Sequence, residues 1–88
     1  MDHRRKKLLY RASHRGIKEM DLILTAFCAA ELEGLDQIEL DQFEALLDVA
    51  DLDLYFWITG AEDPPVEHRS DLLNRLKVLP PVAGARKT

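Results

Sequence analysis

From Glu19 to Asp63 the chain has no lysine or arginine, and along its whole length it has one cysteine, Cys28. A lone cysteine excludes an internal disulfide, so this is not a stapled secreted scaffold, and a reducing compartment fits best. Four glycines and four prolines in 88 residues leave few positions for tight hairpins, and no period-2 alternation is long enough to argue for a strand. The apolar runs are far too short to span a bilayer. Arg4-Arg5 does not open an export signal, because Arg11, Arg15, Lys18, Glu19 and Asp21 interrupt any apolar segment after it. There is no phosphate loop, no GxGxxG and no CxxC. His3, His14 and His68 are too scattered for a metal site. Ser13 and His14 are adjacent and would point about 100° apart on a helix, which excludes a catalytic dyad. A chain this short has little room for both a core and a substrate pocket, so the reading is of a protein that is not an enzyme.

What is present is strongly segregated charge. Seven of the twelve Lys/Arg lie in residues 1–18, and thirteen of the sixteen acids lie between Glu19 and Asp63, for a net charge of −4. Such a chain is a dipole that orients partners. Apolar spacing at three- and four-residue steps predicts helices throughout. The first covers 4–14, with Leu8, Ala12 and Leu9 inward. The second covers 18–32, with Met20, Ile23, Leu24, Ala26, Phe27 and Ala30 on one face, widened by Leu22, Cys28 and Ala29. The third starts at Asp36, where Asp36-Gln37-Ile38-Glu39 is a capping box between Leu35 and Leu40. A fourth covers 54–59, capped by Asp51 or Asp53 and stopped by Gly60; it delivers Phe56 and Trp57 to the core and leaves Tyr55 at the surface. A fifth covers 66–79, before Pro80-Pro81. The expected fold is all-α, a compact five-helix antiparallel bundle in a single domain over 1–80, with a flexible tail over 81–88.

The stretch Arg11 to Met20 joins the basic helix to the acidic body and has two readings. In the first, Arg15-Gly16-Ile17-Lys18-Glu19 is a helix end and a helix start. Gly16 then takes the left-handed position after the helix, and Arg15 and Glu19 complement the two dipoles. In the second, Gly16 leaves backbone bare for another surface to approach. Arg11 and Arg15 share a helix face, and Glu19 completes a footprint for protein recognition. The basic run 4–7 suggests nucleic acid or an anionic membrane, but the net charge, the acidic body and the scarcity of interleaved aromatics favour steering of an acidic partner.

The chain resembles the small flavinylation factors of succinate dehydrogenase, the SdhE-type FAD assembly factors. The resemblance rests on Arg4-Arg5-Lys6-Lys7-Leu8-Leu9-Tyr10-Arg11, on His14-Arg15-Gly16 with Glu19 (an RGxxE motif), and on Met20-Asp21. Further on it rests on Phe43-Glu44-x-Leu46-Leu47 and Asp51-x-Asp53-Leu54-x-x-Trp57. It implies a five-helix bundle that binds the flavoprotein subunit of succinate dehydrogenase, and of fumarate reductase, and promotes covalent attachment of FAD to a histidine of that subunit. The reacting groups then belong to the partner, and this chain holds no FAD and no metal. It contributes positioning. Carried over by position, Arg15, Gly16 and Glu19 are the contact core, flanked by Arg11 and His14, with Tyr10 and Met20 beside them. The expected protein is monomeric when free; its charge balance argues against nucleic acid, and its short apolar runs argue against insertion in a membrane. It would reside in the bacterial cytoplasm, or in the mitochondrial matrix of a eukaryote. An antitoxin-like or adaptor module using the same surface is the alternative.

Overall fold

In the computed structural model, which describes residues 1–77, every regular element is helical. The order is α1 (His3–Ala12), α2 (Lys18–Glu31), a 3-10 turn (Leu32–Gly34), α3 (Gln37–Leu47), α4 (Asp51–Thr59), a second 3-10 turn (Val66–His68) and α5 (Asp71–Lys77). Five α-helices and no strand among the described residues agree with the expected class. The predicted tail, and the last two residues of the predicted fifth helix, lie outside the described residues.

Local chemistry sets most boundaries. The Asp2 carboxylate caps α1 by accepting from the Arg5 N–H at 2.8 Å, and that hydrogen bond holds the Asp2 pKa below its ordinary value. Ser13 closes α1, its hydroxyl donating to the Leu9 carbonyl at 2.9 Å. The capping box is present in both directions: the Glu39 N–H donates to Asp36 Oδ1 at 2.8 Å, and the Asp36 N–H donates to Glu39 Oε1 at 2.9 Å. Gly60 ends α4 in the left-handed region at φ 84°. Ser70 accepts from the Leu73 N–H at 3.1 Å before α5.

The core draws on every helix: Leu8 and Ala12 from α1, Met20, Leu24, Phe27 and Cys28 from α2, Leu40, Phe43, Leu46 and Leu47 from α3, Leu54 and Trp57 from α4, and Leu72, Leu73 and Leu76 from α5. Phe27 and Phe43 meet at its centre with ring centroids 5.4 Å apart, and each fully buried large apolar side chain contributes about 1.5–3 kcal/mol. Burial raises the Cys28 thiol to about 11, as expected for a thiolate denied solvent.

Three expectations are corrected. The fourth helix starts at Asp51, so Asp51 and Asp53 lie inside its first turn and neither caps it. Phe56 is only half-buried; Leu54 and Trp57, three apart, share the inward face instead. The stretch read as one helix from 66 is a 3-10 turn followed by a short α5, with an extended residue at Arg69 between them.

Candidate protein-contact site at the joint of the first two helices

Arg15 decides the geometry of the joint, and its side chain points inward. Its Nε donates to Asp51 Oδ1 at 2.7 Å, Nη1 to the Leu47 carbonyl at 2.9 Å and Nη2 to the Val49 carbonyl at 3.2 Å. Leu47 is the last residue of α3, so its carbonyl has no partner within that helix, and the guanidinium supplies both the missing donor and a positive charge at the helix end. The second Asp51 oxygen accepts the Gly16 N–H at 2.8 Å. The Arg15 N–H donates to Asp21 Oδ1 in the first turn of α2. The joint between α1 and α2 is thereby bound to the joint between α3 and α4. The Arg15 and Asp51 side chains are only 11% and 15% exposed, and no buried side-chain polar atom among the described residues lacks a partner.

The other residues expected at the site fall into distinct places. Arg11 Nη2 reaches Asp48 Oδ1 at 2.6 Å on the surface. α1 has already ended at Ala12, so Arg11 and Arg15 do not share a helix face, and their guanidinia go to different acids. Tyr10 and His14 are exposed and stack with ring centroids 3.9 Å apart and planes 22° apart. His14 Nδ1 lies 2.7 Å from the Tyr10 carbonyl oxygen. Gly16 is exposed and does not have a positive φ, which removes the left-handed reading. A methyl group there would sit 3.4 Å from Asp51 Oδ2, an ordinary contact, so the fold tolerates a small side chain at this position. Glu19 is exposed in the first turn of α2 and has no ion pair among the described residues. Met20 has no exposed surface and packs in the core, so its side chain is not presented to a partner.

Sequence reasoning missed Asp21 and the role of Asp51. Arg15 and Asp51 are separated by 36 positions, and no periodic pattern links residues so far apart. The available signal was chemical: an arginine bordering an apolar helix needs acceptors, and Asp51 stands at the head of the most aromatic segment.

The arginines behave alike. Arg4 binds Gln37, Asp41 and Glu44; Arg5 binds Asp2 and the Leu32 and Leu35 carbonyls; Arg69 binds the Pro64 carbonyl; and Arg75 binds Glu31 and Glu39. Among the described residues, Lys6, Lys7, Lys18 and Lys77 make no such bonds. The basic segment that looked like one positive surface is divided into internally engaged arginines and outward lysines.

Among the described residues no group of His, Cys, Asp and Glu is arranged to hold a metal ion, and no helix is long and apolar enough to cross a membrane. Residues 6–79 match a family model described as the flavinator of succinate dehydrogenase. The chain is 38% identical over 81 residues to succinate dehydrogenase assembly factor 2, mitochondrial, of Candida glabrata, covering 88% of this chain and 53% of that protein. It is 44% identical over 63 residues to the protein of the same name from Debaryomyces hansenii, covering 72% and 44%. It is 34% identical over 79 residues to succinate dehydrogenase assembly factor 2-A, mitochondrial, of Drosophila mojavensis, covering 88% and 50%. The chain thus spans about half the length of these curated relatives. With most of its length matched and its fold all-helical, the chain belongs to the family described as the flavinator of succinate dehydrogenase.

Proposed function

We propose that this protein is a non-catalytic assembly factor that binds the flavoprotein subunit of succinate dehydrogenase, and of fumarate reductase, and promotes covalent attachment of FAD to it. The observation that carries the reading is the construction of the joint. Gly16 and Glu19 stand exposed on a turn that Arg15, Asp51 and Asp21 hold in one shape. A partner meets bare backbone and an unengaged carboxylate without first having to order them, which lowers the entropic cost of binding. Tyr10 and His14 flank that point as a stacked pair, and Arg11 borders it through Asp48. Arg15 acts from behind by fixing Gly16.

FAD is the partner's cofactor in this reading. A pyrophosphate needs free cationic or backbone donors. Here Arg4, Arg5, Arg11, Arg15, Arg69 and Arg75 already donate within the chain, which leaves the exposed Lys6, Lys7 and Lys18 as the free cations of the N-terminal segment, and Phe27, Phe43 and Trp57 are committed to the core. The chain's contribution is to hold the flavoprotein with its reacting groups aligned. The working compartment is that of the subunit before assembly: the mitochondrial matrix of a eukaryote or the cytoplasm of a bacterium.

The test is covalent flavin in the subunit, read as fluorescence of the denatured polypeptide after co-expression with wild type, Glu19→Ala or Gly16→Arg. Both variants are expected to lower the signal severalfold while far-UV circular dichroism stays unchanged. Glu19→Ala is the cleaner probe, because it costs only the helix-end contribution of about 0.3–1 kcal/mol. Flavin fluorescence that is the same with and without this protein would overturn the reading.

A further inference from the structure

We propose that the outer face of α1 is a second contact surface, continuous with the joint, that receives an acidic segment of the partner protein. The inference rests on the proposed function for the identity of that partner, and on the structure for the chemistry. At 100° per residue, positions 3, 6, 7 and 10 fall within about 100° of arc on one side of the helix. His3, Lys6, Lys7 and Tyr10 are all exposed, and His14 extends the stripe by stacking on Tyr10. α1 itself carries no acid. The carboxylates around it are engaged by arginines: Asp2 by Arg5, Asp41 and Glu44 by Arg4, and Asp48 by Arg11. Lys6 and Lys7 are left as the uncompensated charges of the stripe.

The stripe also has a recess. His3, Arg4, Lys7, Leu8, Arg11 and Glu44 line a concavity of about 280 Å³ beside α1. With Leu8 buried beneath it and Glu44, its one acid, paired with Arg4, the recess suits a Glu or Asp side chain that lays its methylene along the stems of Lys7 and Arg11 and turns its carboxylate to the Lys7 ammonium. A protein is favoured over a polyanion by number and balance. Two free lysines on the stripe and one more at Lys18 neutralise few phosphates, while Glu19, Asp53 and Glu67 remain exposed elsewhere on a chain of net charge −4.

The experiment measures association and dissociation rates of the purified flavoprotein subunit at low and high salt. It uses wild type, Lys6→Glu, Lys6→Glu/Lys7→Glu and, as an equal charge change placed on α5, Lys77→Glu. The substituted lysines have no partner among the described residues, so the fold is retained. The α1 double reversal is expected to slow association about tenfold at low salt, with the difference closing at high salt. Lys77→Glu should leave the rate near wild type. Equal slowing by Lys6→Glu and Lys77→Glu, or no slowing by the double variant, overturns the proposal. Glu19→Ala in the same assay tests the underlying function separately, since its loss of affinity does not depend on salt steering. A titration of isotope-labelled protein with a Glu-rich synthetic peptide gives an arm free of the flavoprotein. Shifts confined to residues 3–14 support the surface, whereas stronger binding to a DNA duplex or to phosphatidylserine vesicles overturns the assignment to a protein.

Discussion

Replacing Arg15 by alanine should destabilise the fold more than any other surface-adjacent change, and the structure gives the size. The substitution removes three donors at once: Nε from Asp51, Nη1 from the Leu47 carbonyl and Nη2 from the Val49 carbonyl. It leaves the Asp51 carboxylate, 15% exposed, with the Gly16 N–H as its remaining donor. Removing one member of a largely buried ion pair costs about 3–5 kcal/mol, and residual solvent access places this pair near the lower end. A chain of this length is stable by roughly 4–13 kcal/mol at about 0.05–0.15 kcal/mol per residue. A loss of about 3 kcal/mol therefore lowers Tm by about 12–24 °C at about 4–8 °C per kcal/mol. Arg15→Lys keeps the charge but not the planar fork, and one ammonium cannot span the same three acceptors, so about half of the loss should remain. The surface pair Arg11–Asp48, with side chains 37% and 69% exposed, is the internal comparison: Arg11→Ala should cost about 0–1 kcal/mol.

The decisive assay is a double-mutant cycle of Arg15→Ala and Asp51→Ala by urea denaturation, with the same cycle run on Arg11 and Asp48. The Arg15–Asp51 coupling is expected at about 2–3 kcal/mol and should persist in high salt, because a buried pair is weakly screened. The Arg11–Asp48 coupling should be small and vanish. A coupling below about 0.5 kcal/mol for Arg15 and Asp51 would refute the clamp, and with it the claim that Gly16 is held rather than merely tethered.

Three further outcomes follow from single residues. Cys28 should resist alkylation in the folded protein at neutral pH, since its thiol titrates at about 11. Because the unfolded thiol ionises near 9 and the folded one does not, its contribution to stability is fully present below about pH 9 and declines between 9 and 11, as an alkaline unfolding series checks. Gly60→Ala places a side chain at φ 84° and should cost about 1 kcal/mol or more by thermal melting, although nothing crowds the site. Arg5→Lys should free the Leu32 and Leu35 carbonyls of their donors and lower stability by about 1–2 kcal/mol in urea; unchanged stability would mean that water replaces the guanidinium there.

How much of this was legible in the sequence follows from what each signal reports. Apolar spacing reports faces, and it located α1, α2 and α3 and most of their core residues; Asp36, Glu39 and Gly60 acted as their residue types suggest. Where the apolar arc is too wide, spacing loses resolution. In α4 every position from Leu54 to Ile58 is apolar, so it could not separate Leu54 and Trp57 from Phe56. In α2 it brought exposed Leu22, Ala29 and Ala30 into the expected face, although it also placed Met20 inward, where it lies wholly buried; the family resemblance, not the spacing, put Met20 among the expected contacts. Charge patterning fared differently. Counting basic residues along 1–18 suggested one positive surface, but a guanidinium with five donors in a fixed fork finds acceptors inside a fold more readily than an ammonium does. Arg4, Arg5, Arg11 and Arg15 accordingly turn to residues 32–51 as well as to Asp2.

That division also explains why the two separated segments of the family resemblance occur together. Arg15-Gly16 and Asp51 are opposite sides of one contact: the Asp51 carboxylate binds the side chain of the first and the backbone N–H of the second. A motif that read as a contact footprint is therefore layered. Arg15 and Asp51 set its shape, while Gly16 and Glu19 are what it offers. A substitution in the first pair should fail by unfolding or misplacing the joint, with stability and flavinylation falling together. One at Glu19 should fail with stability intact. Measuring both quantities on the same variants separates the layers, and identical behaviour at Arg15 and Glu19 would mean that the layering is wrong.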